Sequence, residues 1–82
     1  MLTIIKVWVT DQDENDYTKD FHCHFVPRAG DYIIPDPFAN EIKVEKVVHM
    51  MDYEGLVHVH TESVEFCDGM HEALESGGWE LT

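Results

Sequence analysis

Short segments in which apolar and polar side chains alternate recur along this chain of 82 residues and direct it toward a sheet-based fold. The clearest is TKDFHCHFV, residues 18–26, where Phe21, Cys23 and Phe25 alternate with an aspartate and two histidines. Successive side chains of a β-strand point to opposite faces of the sheet. The pattern therefore predicts a half-buried strand whose three apolar residues face the core.

Four further segments have strand composition: residues 2–10, 31–34, 40–52 and 57–61. The first, LTIIKVWVT, is rich in β-branched and aromatic residues on both sides, so both of its faces need cover. In residues 40–52, Ile42 and Val44 share a face but Val47 belongs to the other, which predicts a β-bulge near Glu45–Lys46. A helix over 41–51 is the alternative, and its four β-branched residues disfavour it.

Turn residues and one helical segment complete the pattern. EGL, residues 54–56, predicts a hairpin turn with Gly55 at the position of positive φ. CDGMHEALESGG, residues 67–78, predicts one short helix that Asp68 caps and that ends at Gly77–Gly78. We expect its inner side to carry Met70, Ala73 and Leu74.

Together these elements predict a mainly β fold: a small antiparallel five-stranded barrel or bent sheet with one short C-terminal helix. A chain of 82 residues cannot supply two separate hydrophobic cores, so we expect a single domain over 1–82.

Residues 26–62 also carry a longer pattern, Pro-Arg-x-Gly-Asp-x-Ile, then Val-x-x-Val-x-His, then a turn and Val-x-Val. The matching residues are Pro27, Arg28, Gly30, Asp31, Ile33, Val44, Val47, His49, Val57 and Val59. In this pattern the chain resembles small uncharacterised proteins of bacteria and their phages. The resemblance implies a small SH3-like barrel for about half of the chain, and it implies no function, because such folds serve many unrelated ones.

The charge of the chain limits its partners. Seventeen acidic residues against five Lys and Arg give a formal net charge of −12. Nucleic acids and anionic membranes are disfavoured, because both are bound through Lys and Arg. Basic proteins, cations or further copies of this chain are the expected partners, although the charge can also serve solubility alone.

The expected compartment is the cytoplasm. The apolar run in MLTIIKVWVTDQD is too short for a signal peptide and no cleavage site follows it. No stretch approaches the ~18 apolar residues of a membrane span. Cys23 and Cys67 are therefore expected to be reduced thiols.

Two His-x-His pairs are the candidate metal ligands: His22 and His24 in FHCHF, and His58 and His60 in VHVH. On a strand, residues i and i+2 lie on one side, about 7 Å apart, which suits two ligands of one transition metal. In a simple meander the two strands are not neighbours, so one pair would need Glu62, Asp20 or a second subunit. The alternative is that all four histidines are outward strand positions facing water.

Other sites are disfavoured. DQDEND, residues 11–16, has acidic or amide residues at the 1, 3, 5 spacing of a calcium loop, but Asp16 stands where glycine is needed and His22 where a bidentate Glu belongs. Cys23 cannot react through its neighbouring histidines, because strand neighbours point to opposite faces. We expect no enzyme activity and no required cofactor.

The leading functional prediction is a non-enzymatic protein-interaction or accessory module of bacterial or phage origin. It would bind a protein partner, or a second copy of itself to form a dimer, through an apolar surface. The predicted contact residues are Leu2, Ile4, Trp8 and Trp79. The alternatives are a metal-binding protein that uses the histidine pairs, and an acidic inhibitor of phage type that mimics nucleic acid.

Overall fold

The computed structural model describes residues 3–51 and 56–82. They form a mainly β fold with one short helix near the C-terminal end, and the predicted fold class is confirmed. In chain order the elements are β1 (Thr3–Thr10), β2 (Asp16–Cys23), β3 (Tyr32–Ile33), β4 (Ile42–His49), β5 (Val57–Thr61), α1 (Met70–Ser76) and β6 (Glu80–Leu81). The predictions for Leu2 and for the turn residues Glu54 and Gly55 lie outside the described residues.

The six strands form one sheet in the order β3-β4-β5-β1-β2-β6, curled into a half-barrel. β1 pairs antiparallel with β2 along its whole length, and parallel with β5 from Ile5↔Val57 to Trp8↔His60. The prediction of five antiparallel strands is thus corrected in two details. There is a sixth strand, β6, which has only two residues and therefore no alternation to mark it in the sequence. β1 and β5 are parallel, because the chain returns to the far edge of β1 after β3 and β4.

The predicted β-bulge lies in β4. Its register with β5 shifts between Val44 and Lys46, so that Val44 pairs with Thr61 and Lys46 with His60. Val44 is fully buried and Val47 half-buried, so both reach the core despite their inconsistent spacing. The strand interpretation of this segment is confirmed, and the helix alternative is wrong.

The core lies on the concave side of the sheet. It is formed by the inner residues of β1, β4 and β5, by Tyr17 of β2 and Leu74 of α1, and by aromatic residues from the loops and the tail: Ile5, Val7, Val9, Ile42, Val44, Val57, Val59, Tyr17, Leu74, Phe38, Phe66 and Trp79. Phe38 contacts the rings of Phe66 and Trp79 edge-on, each at 5.9 Å between centroids. Such edge-to-face pairs fix the positions of the rings.

The helix begins and ends at glycines. Gly69 has φ 85 at its first end and no side-chain cap is present, so the predicted capping by Asp68 is wrong. At the other end the Trp79 N–H donates to the Leu74 carbonyl at 3.0 Å, which confirms the predicted stop at Gly77–Gly78. Leu74 is fully buried, whereas Ala73 is exposed rather than part of the inner side. Within the described ranges, no helix has the length and apolar character needed to cross a membrane.

Candidate functional site

Trp79 belongs to the core and is not a contact residue for a partner. Its side chain is 3% exposed, and its indole N–H donates to the Asp36 carbonyl at 2.8 Å. Its ring also lies edge-on to Phe21, 5.8 Å between centroids. The indole therefore ties the C-terminal tail to the loop after β3, and this use of Trp79 corrects the prediction.

Trp8 lies on the outer face of β1, where the parallel pairing brings it beside both histidines of β5. Its indole N–H donates to His58 Nδ1 at 2.9 Å, and its ring stacks on His60 at 5.3 Å. The two imidazoles stack on each other at 6.4 Å. Ile4, on the same face, is 44% exposed. The outer face thus carries a half-buried Trp–His cluster whose polar atoms are partly satisfied within the chain.

The protonation of this cluster follows from its contacts. The hydrogen bond from the Trp8 indole N–H occupies His58 Nδ1. Burial lowers the pKa of His60, and the neighbouring Lys46 and His58 lower it further. Asp16 and Glu45 act in the opposite direction without reversing the shift.

The sheet separates the two histidine pairs. β1 lies between β2 and β5, so the pairs stand two strand spacings apart, about 9.6 Å. His22 is opposite Ile4 in the register, and His24 follows the end of β2. Throughout residues 3–51 and 56–82, no three His, Cys, Asp or Glu side chains are grouped so as to hold a metal ion. The four predicted ligands therefore do not converge.

The loop between β1 and β2 is organised by a buried carboxylate. Asp11 is 1% exposed and accepts the backbone N–H groups of Asp13 at 2.9 Å and Asn15 at 2.8 Å. Burial by itself would raise the pKa of Asp11, but the hydrogen bonds from Asn15 and Asp13, with His71 nearby, outweigh it and hold the pKa below its ordinary value. Asp11, which stands at the first position of the calcium-loop spacing in the sequence, thus stabilises the turn through hydrogen bonds.

Asp11 also belongs to a network that the sequence did not reveal. The Tyr17 hydroxyl hydrogen-bonds His71 Nδ1, and His71 Nε2 lies 4.0 Å from the Asp11 carboxylate. Burial raises the pKa of Tyr17, and the charges of Asp11 and Glu75 raise it further. A tyrosine that is 3% exposed and resists ionisation is a poor nucleophile, so the network anchors α1 to the first hairpin.

An apolar groove opens on the concave side of the half-barrel, between β2 and residues 33–36. Its volume is about 370 Å³. The lining is apolar apart from Asp36: Ile5, Val7, Phe21, Cys23, Phe25, Pro27, Ile33, Ile34 and Pro35. At its rim Phe25 is 76% exposed and Ile34 is 63% exposed. Phe25 was expected in the core beside Phe21 and Cys23, and it lies outside because β2 ends at Cys23.

The edge of β2 beside this groove is only partly covered. β6 pairs with Tyr17 and Thr18 alone, and the Thr82 N–H donates to the Asp16 carbonyl at 2.9 Å. In an antiparallel ladder alternate residues direct both backbone groups to the same neighbour. Asp16, Thr18, Asp20 and His22 therefore face this edge, and within the described part of the chain no backbone group pairs with the last two.

A larger and more polar hollow, about 650 Å³, lies between β4 and residues 62–70. Three glutamates and one lysine line it together with apolar side chains: Glu41, Glu62, Glu65 and Lys43. Tyr32, which is 60% exposed, is also part of this lining, but polar and charged side chains interrupt the apolar ones there. The groove beside β2, which is apolar apart from Asp36, is therefore the better candidate for an apolar contact site.

Comparison of the chain with protein-family models, with curated proteins and with solved structures found no significant match. The SH3-like barrel implied by residues 26–62 therefore stays a prediction. Function has to be argued from the exposed surfaces themselves.

Proposed function

We propose that this chain is a non-enzymatic protein-interaction module that binds a segment of a partner protein in the groove between β2 and residues 33–36. The observation that carries the proposal is the exposure of two large apolar side chains at an apolar groove: Phe25 is 76% and Ile34 63% exposed. A contiguous exposed apolar surface typically marks an interaction site. Aromatic anchors at such sites supply much of the binding energy.

The outer face around Ile4 and Trp8 is a second surface of this kind and stays a prediction. Trp8 already donates its N–H to His58 and stacks on His60, so less of its ring is available to a partner. Phe25 lies beyond the end of its strand and has more of its surface free. The groove is therefore the preferred contact surface.

Apolar contact alone does not account for stable binding in the groove. Full burial of a Phe or Ile side chain stabilises a complex by about 1.5–3 kcal/mol. Association costs roughly 4–15 kcal/mol in lost freedom of motion. Two anchors at Phe25 and Ile34 fall short of the upper part of that range, so the partner must also make backbone or charge contacts.

The expected partner is a basic protein of the cytoplasm. A net charge of −12 favours cationic segments and opposes nucleic acids. A bacterial or phage origin follows from the resemblance over residues 26–62. Metal binding by His22, His24, His58 and His60, and mimicry of nucleic acid by the acidic surface, remain alternatives that no specific arrangement favours.

The test is selection of binders from a random library of short linear peptides on the wild-type protein, followed by binding to three variants. Phe25→Asp and Ile34→Asp place a charge in the groove. Met51→Asp is the matched control, because Met51 is also apolar and 96% exposed but lies outside the groove lining. Selected peptides should lose affinity for the two groove variants and keep it for the control. Equal binding to all three variants would contradict the proposal.

A further inference from the structure

We propose that the occupant of the groove is an extended, basic segment of a partner protein that joins the sheet as an additional strand on the edge of β2. This inference rests on the proposed function and specifies its partner. It adds a backbone contact to the apolar one, which is the contribution that two exposed side chains lack. Peptides commonly bind other proteins by such strand addition at an exposed sheet edge.

The position of the free edge is set by where β6 begins. Lys19 Nζ donates to the Gly77 carbonyl at 2.6 Å, and Gly78 has φ 90, so the tail reaches β2 only at the level of Thr18. Beyond that level, the backbone N–H and C=O groups of Asp20 and His22 point away from β1. They offer two donors and two acceptors in line with β6.

The groove is on the correct side of this edge. Phe21 and Cys23, on the inner side of β2, line it, whereas Asp20 and His22 direct their side chains outward. An added strand would therefore place every second side chain into the groove, between Phe25 and Ile34. Trp79 occupies the opening of the half-barrel next to β6, with its indole bonded to Asp36. The remaining opening is the groove itself.

Charge selects a basic partner over a second copy. Each copy carries −12, so two copies repel. The Asp20 carboxylate is on the outward side of the edge and is 54% exposed; its ion pair with Lys6 spans 3.5 Å at the surface and is weak. Side chains of an added strand opposite Asp20 are therefore expected to be Lys or Arg. The matching segment alternates apolar and basic residues.

The probes are synthetic peptides of alternating Lys and Val, and a composition-matched peptide in which the Val residues are contiguous. Isothermal titration calorimetry with the wild-type protein should show binding of the alternating peptide and about tenfold weaker binding of the contiguous one. N-methylation of the Lys amides alone, or of the Val amides alone, tests the backbone ladder. Only one set points to β2, so only one N-methylated peptide should lose affinity, by about tenfold.

Protein variants test the same edge from the other side. His22→Pro removes one edge N–H at a position where proline is tolerated in an edge strand. His22→Ala keeps that N–H and is the matched control. His22→Pro should weaken binding of the alternating peptide about tenfold, and His22→Ala should not. Circular dichroism and thermal unfolding verify that both variants keep the fold, and the N-methylated peptides supply the same test on unchanged protein.

The outcomes separate the two proposals. Equal affinity for the two N-methylated peptides, with binding still lost in Phe25→Asp, overturns strand addition and leaves the interaction module standing. Binding that is unaffected by Phe25→Asp and Ile34→Asp overturns the proposed function itself. A dimer in sedimentation analysis that His22→Pro dissociates makes a second copy the occupant and overturns the basic partner. Failure of the alternating peptide to bind also overturns the proposal of a basic partner strand.

Discussion

The indole N–H of Trp8 donates to His58 Nδ1 at 2.9 Å, although the two residues are 50 positions apart in the chain. The parallel pairing of β1 with β5 creates this contact, and it also stacks Trp8 on His60. A histidine that accepts an indole N–H cannot use the same nitrogen for a metal, so Nδ1 of His58 is occupied within the chain. The contact makes the histidines of the VHVH segment part of a packed outer face.

The Trp8–His58 hydrogen bond should contribute measurably to stability. Trp8→Phe removes the donor and should lower the free energy of unfolding by about 1 kcal/mol. Urea unfolding of wild type, Trp8→Phe, His58→Ala and the double variant forms a double-mutant cycle. A coupling energy close to zero would show that the contact is not stabilising.

One exposed and one buried phenylalanine should differ in how much they stabilise the fold. Phe25 is 76% exposed, so Phe25→Ala should change the free energy of unfolding by less than about 0.5 kcal/mol. Phe38→Ala, at a position 7% exposed, should cost about 3–5 kcal/mol. Chemical denaturation of both variants measures the difference. A large destabilisation by Phe25→Ala would assign Phe25 to folding rather than to binding.

Trp79 should behave as a structural residue. Trp79→Phe keeps most of the apolar ring but leaves the Asp36 carbonyl without its indole donor, and should cost about 1–3 kcal/mol of unfolding free energy. Partner peptides should bind the folded variant with unchanged affinity. Titration calorimetry well below the unfolding midpoint checks this. A selective loss of binding without a loss of stability would restore Trp79 as a contact residue.

The pKa of Asp11 predicts a stability change in acid. Its folded pKa is below the ordinary value of 3.8, so the unfolded chain binds more protons in that window. The stabilising contribution is complete above the ordinary value and is lost as the pH falls through the folded pKa. The Asp11→Asn variant lacks this pH-dependent stabilisation. Its free energy of unfolding should therefore fall less than that of the wild type as the pH is lowered from about 5 to below the folded pKa of Asp11. Parallel curves for wild type and variant would contradict the assignment.

His60 provides a test of the outer face. Its pKa is lowered from 6.5, first by burial and then by Lys46, so acidification below the ordinary value should destabilise the fold through this group. NMR titration should give a midpoint below 6.5. Lys46→Gln should raise the midpoint, whereas Lys43→Gln should not, because Lys43 is opposite Tyr32 of β3 and Lys46 is opposite His60. A midpoint that Lys46→Gln leaves in place would show that the lysine is not responsible.

Much of the secondary structure was predictable because its signals are local. Alternation in residues 18–26 and 57–61 identified two strands, and the inconsistent spacing of Val44 and Val47 identified the bulge. Glycines marked the end of the helix. Its beginning was assigned to Asp68 and lies instead at Gly69, where positive φ replaces a side-chain cap. The groove could not be predicted, since its two walls come from segments that no short-range pattern relates.

By itself, the sequence determined the fold class, the approximate positions of β1 to β5, the acidic character and the apolar residues that needed cover. The tertiary structure decided which of those apolar residues are buried. Trp79 and Phe25 are both aromatic residues near the end of a segment, yet Trp79 is 3% and Phe25 76% exposed. Hydrophobicity does not distinguish them. Their burial depends on where the tail crosses the half-barrel, because the tail meets β2 at Thr18 and leaves the opening beyond it unfilled.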